Sequence, residues 1–249
     1  MCGRYTRFAA TELIYRYFGI KPPRPEPPTA ELAPSWNVAP QTMQPVVRLN
    51  PDTGEREMVL MRWGLVPFFA VSPVFSYSTI NARAETLLTK PVFREAFRRR
   101  RCLIPVNSYY EWQVNDPKKK TRQTWAIGLK TEEPFALGGI WDRWVSPDKQ
   151  VELHSYSIIT VEPNELLAPM HDRMPLMIAP RDYERWLEPG DPQRPPVDLL
   201  RPFDAELMKT WPVKPDVGNV RNNRPDLIDP IDPINPGDPV DPDDSPRLF

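Results

Sequence analysis

The sequence predicts an α+β fold with a mainly antiparallel, barrel-like β core and a few short peripheral helices. Short apolar or alternating segments, bounded by Pro, Gly and Asn, recur along the chain as strands joined by turns do. Helical periodicity is confined to a few short segments that do not alternate with the strands, which argues against a parallel βαβ architecture. With 249 residues, the chain is long enough to bury one sizeable core.

Local signals place the individual elements. Thr11 is the expected N-cap of a first helix that ends at Gly19, and a second helix is expected near residues 91–100. An Asn-Pro-Asp-Thr-Gly turn separates residues 45–49 from 58–63 and predicts a β-hairpin. Further strands are predicted at 102–106, 109–114, 125–129, 135–141 and 151–160, and two short helices open at Pro180 and Asp204.

Three other segments have simple local interpretations. Five prolines between residues 22 and 28 predict an extended loop over residues 21–35, and Lys118–Lys120 is expected at the exposed tip of a hairpin. The basic run Arg98–Arg101 is interpreted as a solvated helix end, and Cys102 as a core residue.

Composition restricts the function classes. No apolar segment is long enough to cross a bilayer, and no signal peptide is evident at the N-terminus. Two cysteines form no disulfide framework, so a reducing, cytoplasmic location is expected, with nucleoid association if the source is bacterial. Two histidines and two cysteines make a metal site improbable on composition, and we expect neither a metal nor a cofactor. We also expect a monomer.

The charge is unevenly distributed along the chain. Residues 225–249 contain seven Asp and one Arg, so residues 1–224 carry a net charge of +5, which permits a polyanionic partner. From about Arg224 the sequence becomes rich in Asp-Pro pairs with little apolar bulk. We therefore predict a folded domain over residues 1–228 and a disordered acidic tail over 229–249.

Cys2 is the leading candidate for covalent chemistry. Removal of Met1 would leave a free α-amine and a thiol on one residue, both accessible as nucleophiles near neutral pH. An amine and a thiol so placed condense with an aldehyde, first to an imine and then to a five-membered thiazolidine, because the second attack is intramolecular. The alternative is that Cys2 is a small buried residue at the start of a strand.

Three other positions carry candidate chemistry. Glu111 lies between Tyr110 and Trp112, and burial there would raise its pKa toward neutrality, as suits a general acid or base; a solvent-facing Glu is the alternative. His171 lies in a polar loop beside Asp172 and Arg173, whereas His154 is expected to be exposed. Asn81 could orient a reacting oxygen, or could simply serve a turn together with Arg83.

Seven motifs in order resemble the SOS response-associated peptidase (SRAP) family of abasic-site sensors, and the likeness covers about residues 2–230. They are Met1-Cys2-Gly3-Arg4-Tyr5, Trp36-Asn37-Val38-Ala39-Pro40, Arg62-Trp63-Gly64-Leu65-Val66-Pro67, Ile80-Asn81-Ala82-Arg83-Ala84-Glu85-Thr86, Arg101-Cys102-Leu103-Ile104-Pro105, Tyr110-Glu111-Trp112 and Met170-His171-Asp172-Arg173-Met174-Pro175. The resemblance implies the SRAP fold, a role in DNA repair, and a covalent thiazolidine crosslink to abasic sites in single-stranded DNA.

The resemblance also implies residue roles. Cys2 would be the nucleophile, Asn81 would orient its amine and the sugar, Glu111 would shuttle protons and His171 would assist opening of the deoxyribose ring. Cys2 would be exposed by loss of Met1, through self-processing or a separate aminopeptidase. Phosphates would be held by arginines, and the predicted DNA contacts are Arg4, Asn37, Pro40, Trp63, Phe68, Phe69, Arg83 and Arg173.

One departure from the family concerns the segment after Pro67. Many relatives have two Trp where this chain has Phe68-Phe69, which still offer aromatic faces for stacking but lack the indole donor. Two other functions remain open: a thiol peptidase that uses Cys2, His171 and Glu111 on peptides, and a non-covalent single-stranded DNA-binding module.

Overall fold

The computed structural model describes residues 2–22, 33–74, 77–116 and 121–233. This part of the chain contains the helices α1 (Thr11–Phe18), α2 (Pro91–Arg99) and α3 (Tyr183–Leu187). Its strands are β1 (Arg4–Arg7), β2 (Ser35–Val38), β3 (Met43–Leu49), β4 (Arg56–Trp63), β5 (Asn81–Arg83), β6 (Arg101–Val106), β7 (Ser108–Asp116), β8 (Thr121–Leu129), β9 (Phe135–Val145), β10 (Glu152–Val161), β11 (Met174–Pro175), β12 (Met177–Ile178) and β13 (Met208–Val213).

Five strands close into a barrel in the order β10-β4-β3-β6-β9 and back to β10. The pairing between β10 and β4 is parallel, and the other four pairings in the barrel are antiparallel. The short strand β5 runs parallel to β10 beyond the end of β4, which places Asn81 at one rim of the barrel. The predicted mainly antiparallel, barrel-like α+β fold is thus confirmed.

A second antiparallel sheet, in the order β13-β8-β7-β1-β2, packs against the barrel. The contact is made partly by Tyr5 of β1, whose hydroxyl lies 2.8 Å from that of Tyr156 in β10 and whose ring packs on Trp63. The opposite face of this sheet carries a small apolar cluster that includes Tyr110, Val217 and Leu227. Strands β1 and β7 therefore lie between two apolar layers, and their side chains alternate between them.

The helix predictions hold with changes at the ends. The first helix is capped by Ala10 without a side-chain hydrogen bond, so Thr11 is its first helical residue and the predicted N-cap was wrong. Gly19 has φ 62° and closes the helix as predicted, in a conformation that glycine adopts without strain.

The prediction that the basic run Arg98–Arg101 is solvated is wrong for Arg101. This residue is buried, and its guanidinium donates to the carbonyl oxygens of Phe97 and Trp186.

Other differences concern segments with weak local signals. Strands β2 and β13 were not predicted, and Asp204 caps a single 3₁₀ turn that leads into β13. Residues 225–228 also form a 3₁₀ turn, with Leu227 buried, so the beginning of the Asp-Pro region is folded onto the domain. Most of the proline-rich loop, Lys118–Lys120 and residues 234–249 lie outside the described residues. Within the described ranges, no helix has the length and apolar character of a membrane span.

Candidate active site

The antiparallel pairing of β1 with β7 positions Cys2. Arg4 lies opposite Tyr110, so the residues before Arg4 continue alongside β7 where Glu111 lies. The Cys2 side chain is fully buried, and its Sγ lies 3.9 Å from the Arg4 carbonyl oxygen. Burial raises the pKa of the Cys2 thiol, and the nearby charge of Glu111 raises it further. Burial is what the structural alternative for Cys2 predicted, but it does not by itself exclude the nucleophile.

Asn81 connects the barrel to Cys2 by a hydrogen bond. It is the first residue of β5, opposite Ile158 of β10, and its Nδ2 donates a hydrogen bond of 2.9 Å to the Cys2 carbonyl oxygen. Its Oδ1 is buried and has no hydrogen-bond partner among the described residues. The amide therefore holds the backbone of Cys2 with one end and presents an acceptor with the other.

Glu111 has the buried position that its aromatic neighbours suggested. It is 3% exposed on β7, with its side chain on the opposite face of the sheet from those of Tyr110 and Trp112. Burial raises the pKa of Glu111 to about 7, because the charged carboxylate loses solvation. The carboxyl group can consequently exchange a proton at neutral pH, as a general acid or base must.

His171 reaches Glu111 from the loop before β11. The two side chains approach to 3.9 Å between Nε2 and Oε2. The other ring nitrogen, Nδ1, accepts from the Arg173 N–H at 3.0 Å and lies 2.8 Å from Asp172 Oδ1. These two contacts favour opposite tautomers of the imidazole ring. Burial lowers the pKa of His171, which favours the neutral ring.

A cavity of about 1050 Å³ opens over these groups. Glu111 and His171 line it, and so do Gly3 and Ile80, the sequence neighbours of Cys2 and Asn81. The four candidate catalytic residues come from four separate segments: Glu111 and His171 line the cavity, and Cys2 and Asn81 are buried next to residues that line it. Three of the predicted DNA contacts also belong to its lining: Arg4, Asn37 and Pro40.

Arg4 and Asn37 also anchor the segment after β13. The Arg4 guanidinium donates to Asn37 Oδ1 at 3.1 Å and to the Val217 carbonyl oxygen at 2.7 Å. Asn37 Nδ2 in turn donates to the carbonyl oxygens of Val217, Asn219 and Asn222. This network fixes one wall of the cavity, to which Val220 and Asn223 contribute.

The remaining predicted DNA contacts lie outside the cavity lining. Trp63 is fully buried, with its indole N–H donating to the Ile80 carbonyl oxygen, so it has no exposed face for a base. Phe68 and Phe69 are about half exposed, and Arg83 is exposed. Arg173 is paired with Glu85 at 2.7 Å.

Several cavity residues were not singled out from the sequence. Trp112, Met170 and Arg122 line the cavity, and Arg122 lies opposite Val114 in the β7–β8 pairing. The register of this hairpin was the signal that could have identified Arg122.

His154 is half-buried, 3.1 Å from Glu152, and was wrongly expected to be exposed. Among the described residues, no group of His, Cys, Asp and Glu is placed to hold a metal ion.

Comparisons with known proteins agree with this architecture. The family model described as "SOS response associated peptidase (SRAP)" matches residues 1–220. The chain is 38% identical to the abasic site processing protein YoqW of Bacillus subtilis, over 91% of this chain and 98% of that one. It is 29% identical to the abasic site processing protein HMCES of Xenopus tropicalis, over 78% of this chain and 65% of that one.

A solved structure shows the same fold. A crystal structure of a protein from Bacteroides thetaiotaomicron superimposes with a TM-score of 0.79, at 26% identity, over 92% of this chain and all of the other. The match of the family model to most of the chain, the similarity to YoqW and the shared fold lead to one conclusion: the chain belongs to the SRAP family.

Proposed function

We propose that this protein processes abasic sites in DNA, and that it captures them in single strands as a covalent thiazolidine on Cys2. The observation that supports this most directly is the clustering of Cys2 and Asn81, joined by a hydrogen bond, with Glu111 and His171, which line the adjoining cavity. The relatives named abasic site processing proteins support the substrate class. An abasic site offers an aldehyde when its sugar ring opens, whereas intact nucleotides offer none.

The reaction balances without a cofactor. Once Met1 is removed, the Cys2 amine condenses with the aldehyde, a C=N bond forms and one water leaves. The Cys2 Sγ then adds to the imine carbon, the thiol proton passes to Glu111, and the ring nitrogen receives a proton. The product differs from protein plus DNA by the loss of one water.

The local electrostatics suit this order of events. Because burial raises the pKa of Cys2, the sulfur needs a base at the moment of attack. Glu111, with a pKa of about 7, can accept that proton near neutral pH. His171 lies within reach of Glu111 and is assigned the proton transfer that opens the deoxyribose ring. Asn81 holds the Cys2 carbonyl oxygen and so fixes the direction of the N-terminal residue.

DNA binding is assigned to the residues around the cavity. Asn37 and Pro40 line it, Arg83 is exposed on β5, and Phe68 and Phe69 offer rings for base stacking. Arg4 and Arg173 are proposed to reach phosphates from positions where they already bind other groups of the protein. Trp63, predicted as a DNA contact, instead supports the floor of the site from inside the core.

Self-removal of Met1 is the second activity we propose, as a single turnover at the same groups. The raised pKa of Cys2 disfavours a general thiol peptidase, because such enzymes depend on a stabilised thiolate. Turnover of unrelated peptides is consequently not expected. A non-covalent DNA-binding module would retain all its function in Cys2→Ala, which separates it from the proposed reaction.

The test is intact-mass analysis of the protein before and after incubation with a single-stranded oligonucleotide that contains one abasic site. We expect loss of Met1 beforehand and then one adduct, whose mass is that of protein plus DNA minus one water. A matched oligonucleotide with a reduced, aldehyde-free abasic site is the control. Absence of the adduct with the aldehyde-bearing oligonucleotide would contradict the proposal.

A further inference from the structure

An exposed apolar segment, residues 64–74, connects β4 with the turn that precedes β5; we call it the aromatic loop. Phe68 and Phe69 are 55% and 51% exposed, with ring centroids 5.3 Å apart in an edge-to-face arrangement. Val71 and Val74 in the same loop are 89% and 78% exposed. A contiguous exposed apolar group of this kind marks an interaction surface. The loop begins beside the candidate active site, because the Leu65 N–H donates to the Thr79 carbonyl oxygen at 3.2 Å and the next residue, Ile80, lines the cavity.

The backbone of the aromatic loop is fixed although its side chains are exposed. The Phe68 N–H donates to Asp142 Oδ2 at 3.0 Å, and the Ala70 carbonyl oxygen accepts from the Trp144 indole N–H at 2.7 Å. The Val66 N–H donates to Ser155 Oγ at 2.8 Å. All three partners are buried residues of β9 and β10. The barrel wall therefore holds the loop in one conformation.

Asp142 is the most constrained of these partners. It is 3% exposed, and its Oδ1 accepts from the Arg143 N–H at 2.8 Å and lies 3.1 Å from the Arg100 guanidinium. The carboxylate thus joins Arg100, which lies between α2 and β6, to β9 and the aromatic loop. A buried carboxylate loses solvation, and these hydrogen bonds and the ion pair compensate the charge of Asp142 on both oxygens.

We propose that Asp142 is a positioning residue, which holds Phe68 and Phe69 as a preformed stacking surface for nucleotides that flank the abasic site. This inference rests on the proposed function, and it adds a residue that makes no contact with DNA itself. Stacking on an aromatic ring tolerates every base, as damage at arbitrary positions requires. A loop that is already ordered loses less conformational entropy when the DNA binds.

For Asp142→Asn, the change in charge and the loss of loop positioning predict opposite effects on DNA affinity. Asp142→Asn removes a negative charge from a DNA-binding protein, which by electrostatics alone should tighten binding. Loss of the charged acceptor for Phe68 should instead loosen the loop and weaken binding, by about two- to tenfold. Asp148→Asn, on the exposed turn between β9 and β10, removes the same charge without touching the loop and is the matched control.

The experiment measures affinity for a single-stranded oligonucleotide with a reduced, aldehyde-free abasic site, so that no crosslink intervenes. Weaker binding by Asp142→Asn, with unchanged or tighter binding by Asp148→Asn, is the expected result. Trp144→Phe removes the indole donor to the Ala70 carbonyl oxygen and should also weaken binding, which guards against a folding defect in one variant. Binding by Asp142→Asn equal to that of Asp148→Asn would overturn the inference.

A double-mutant cycle separates positioning from a general structural effect. In a Phe68→Ala, Phe69→Ala background, Asp142→Asn should cost nothing further, because no ring remains to be positioned. An equal loss in both backgrounds would overturn the inference. Capture of a small free aldehyde by Asp142→Asn should match wild type. If wild-type protein forms no adduct with an authentic abasic site, the proposed function fails, while the affinity comparison still decides the role of Asp142.

Discussion

Cys2 and Cys102 are both fully buried, and burial raises the pKa of both thiols. Their surroundings differ in one respect that matters for chemistry. Near Cys102, on β6 in the barrel, the charge that acts on the thiol is that of Arg48. Near Cys2 the largest effect of a charge is that of Glu111, a group able to take up a proton at neutral pH. Burial thus does not distinguish Cys2, the proposed nucleophile, from Cys102, whereas the neighbouring base does.

The largest expected effect is on adduct formation, when Cys2 and Cys102 are each replaced by Ser. Cys2→Ser should form no heat-stable adduct with an abasic oligonucleotide, because the hydroxyl is a poorer nucleophile and the imine stays reversible. Cys102→Ser should still form the adduct, although a buried hydroxyl in the barrel should lower the melting temperature. Denaturing gels after heating give the first result and thermal melting the second. A heat-stable adduct of Cys2→Ser without a reductant would contradict the thiazolidine.

Glu111→Gln removes the base that sets Cys2 apart from Cys102. Crosslinking should slow by about 10²- to 10⁴-fold, the usual contribution of a general acid or base. DNA affinity should stay close to wild type, because the amide keeps the shape of the side chain. As a base, Glu111 is ionised above its pKa of about 7, so the wild-type rate should rise with pH through this value and the rate of Glu111→Gln should not. Equal rates for the two proteins would exclude the proposed role.

The same substitution should stabilise the fold. The pKa of Glu111 is about 7 in the folded protein and about 4.5 in the unfolded chain, so between these values the folded state binds more protons. The free energy of unfolding therefore falls as pH rises from 4.5 to 7, by about 3 kcal/mol in total. Glu111→Gln should lack this fall and should melt at a higher temperature than wild type at pH 8. Parallel pH profiles of stability would contradict the burial of an ionisable Glu111.

The smallest expected effect is the difference in capture rate between His171→Ala and His154→Ala. His171→Ala should slow capture of an abasic site more than capture of a small free aldehyde, because only the sugar must be opened. His154→Ala is the control, since His154 lies on β10 next to Glu152 and Trp141, outside the cavity lining. Rates with both substrates, measured for both variants, give the comparison. An equal slowing of the two substrates in His171→Ala would remove the ring-opening role.

Sequence patterns predicted the elements whose signals are local. The β3–β4 hairpin follows from its turn residues and the end of the first helix from Gly19, because both depend on backbone preferences within a few residues. Strand β13 was missed because Pro212 lies within it. It is an edge strand, paired only with β8 among the described strands, where a missing N–H is tolerated.

The candidate site was predictable only in part. The aromatic neighbours of Glu111 indicated its burial, because a strand with Tyr110 and Trp112 on its other face is covered on both sides. The hydrogen bond from Arg4 to the Val217 carbonyl oxygen joins residues 213 positions apart. It has no local sequence signal, because it depends on how the segment after β13 folds back. The burial of Trp63 is equally non-local, since Tyr156 of the barrel and Tyr5 of the second sheet pack on its ring.

The most direct test of the central claim is to count the free thiols after crosslinking. A thiazolidine consumes both the amine and the thiol of Cys2 and leaves Cys102 untouched. The crosslinked protein is unfolded, treated with iodoacetamide, and digested for peptide mass analysis. We expect alkylation of Cys102 alone, with the nucleotide remnant on the N-terminal peptide and a mass deficit of one water. Alkylation of both cysteines, with the adduct retained, would place the DNA on another group and contradict the account.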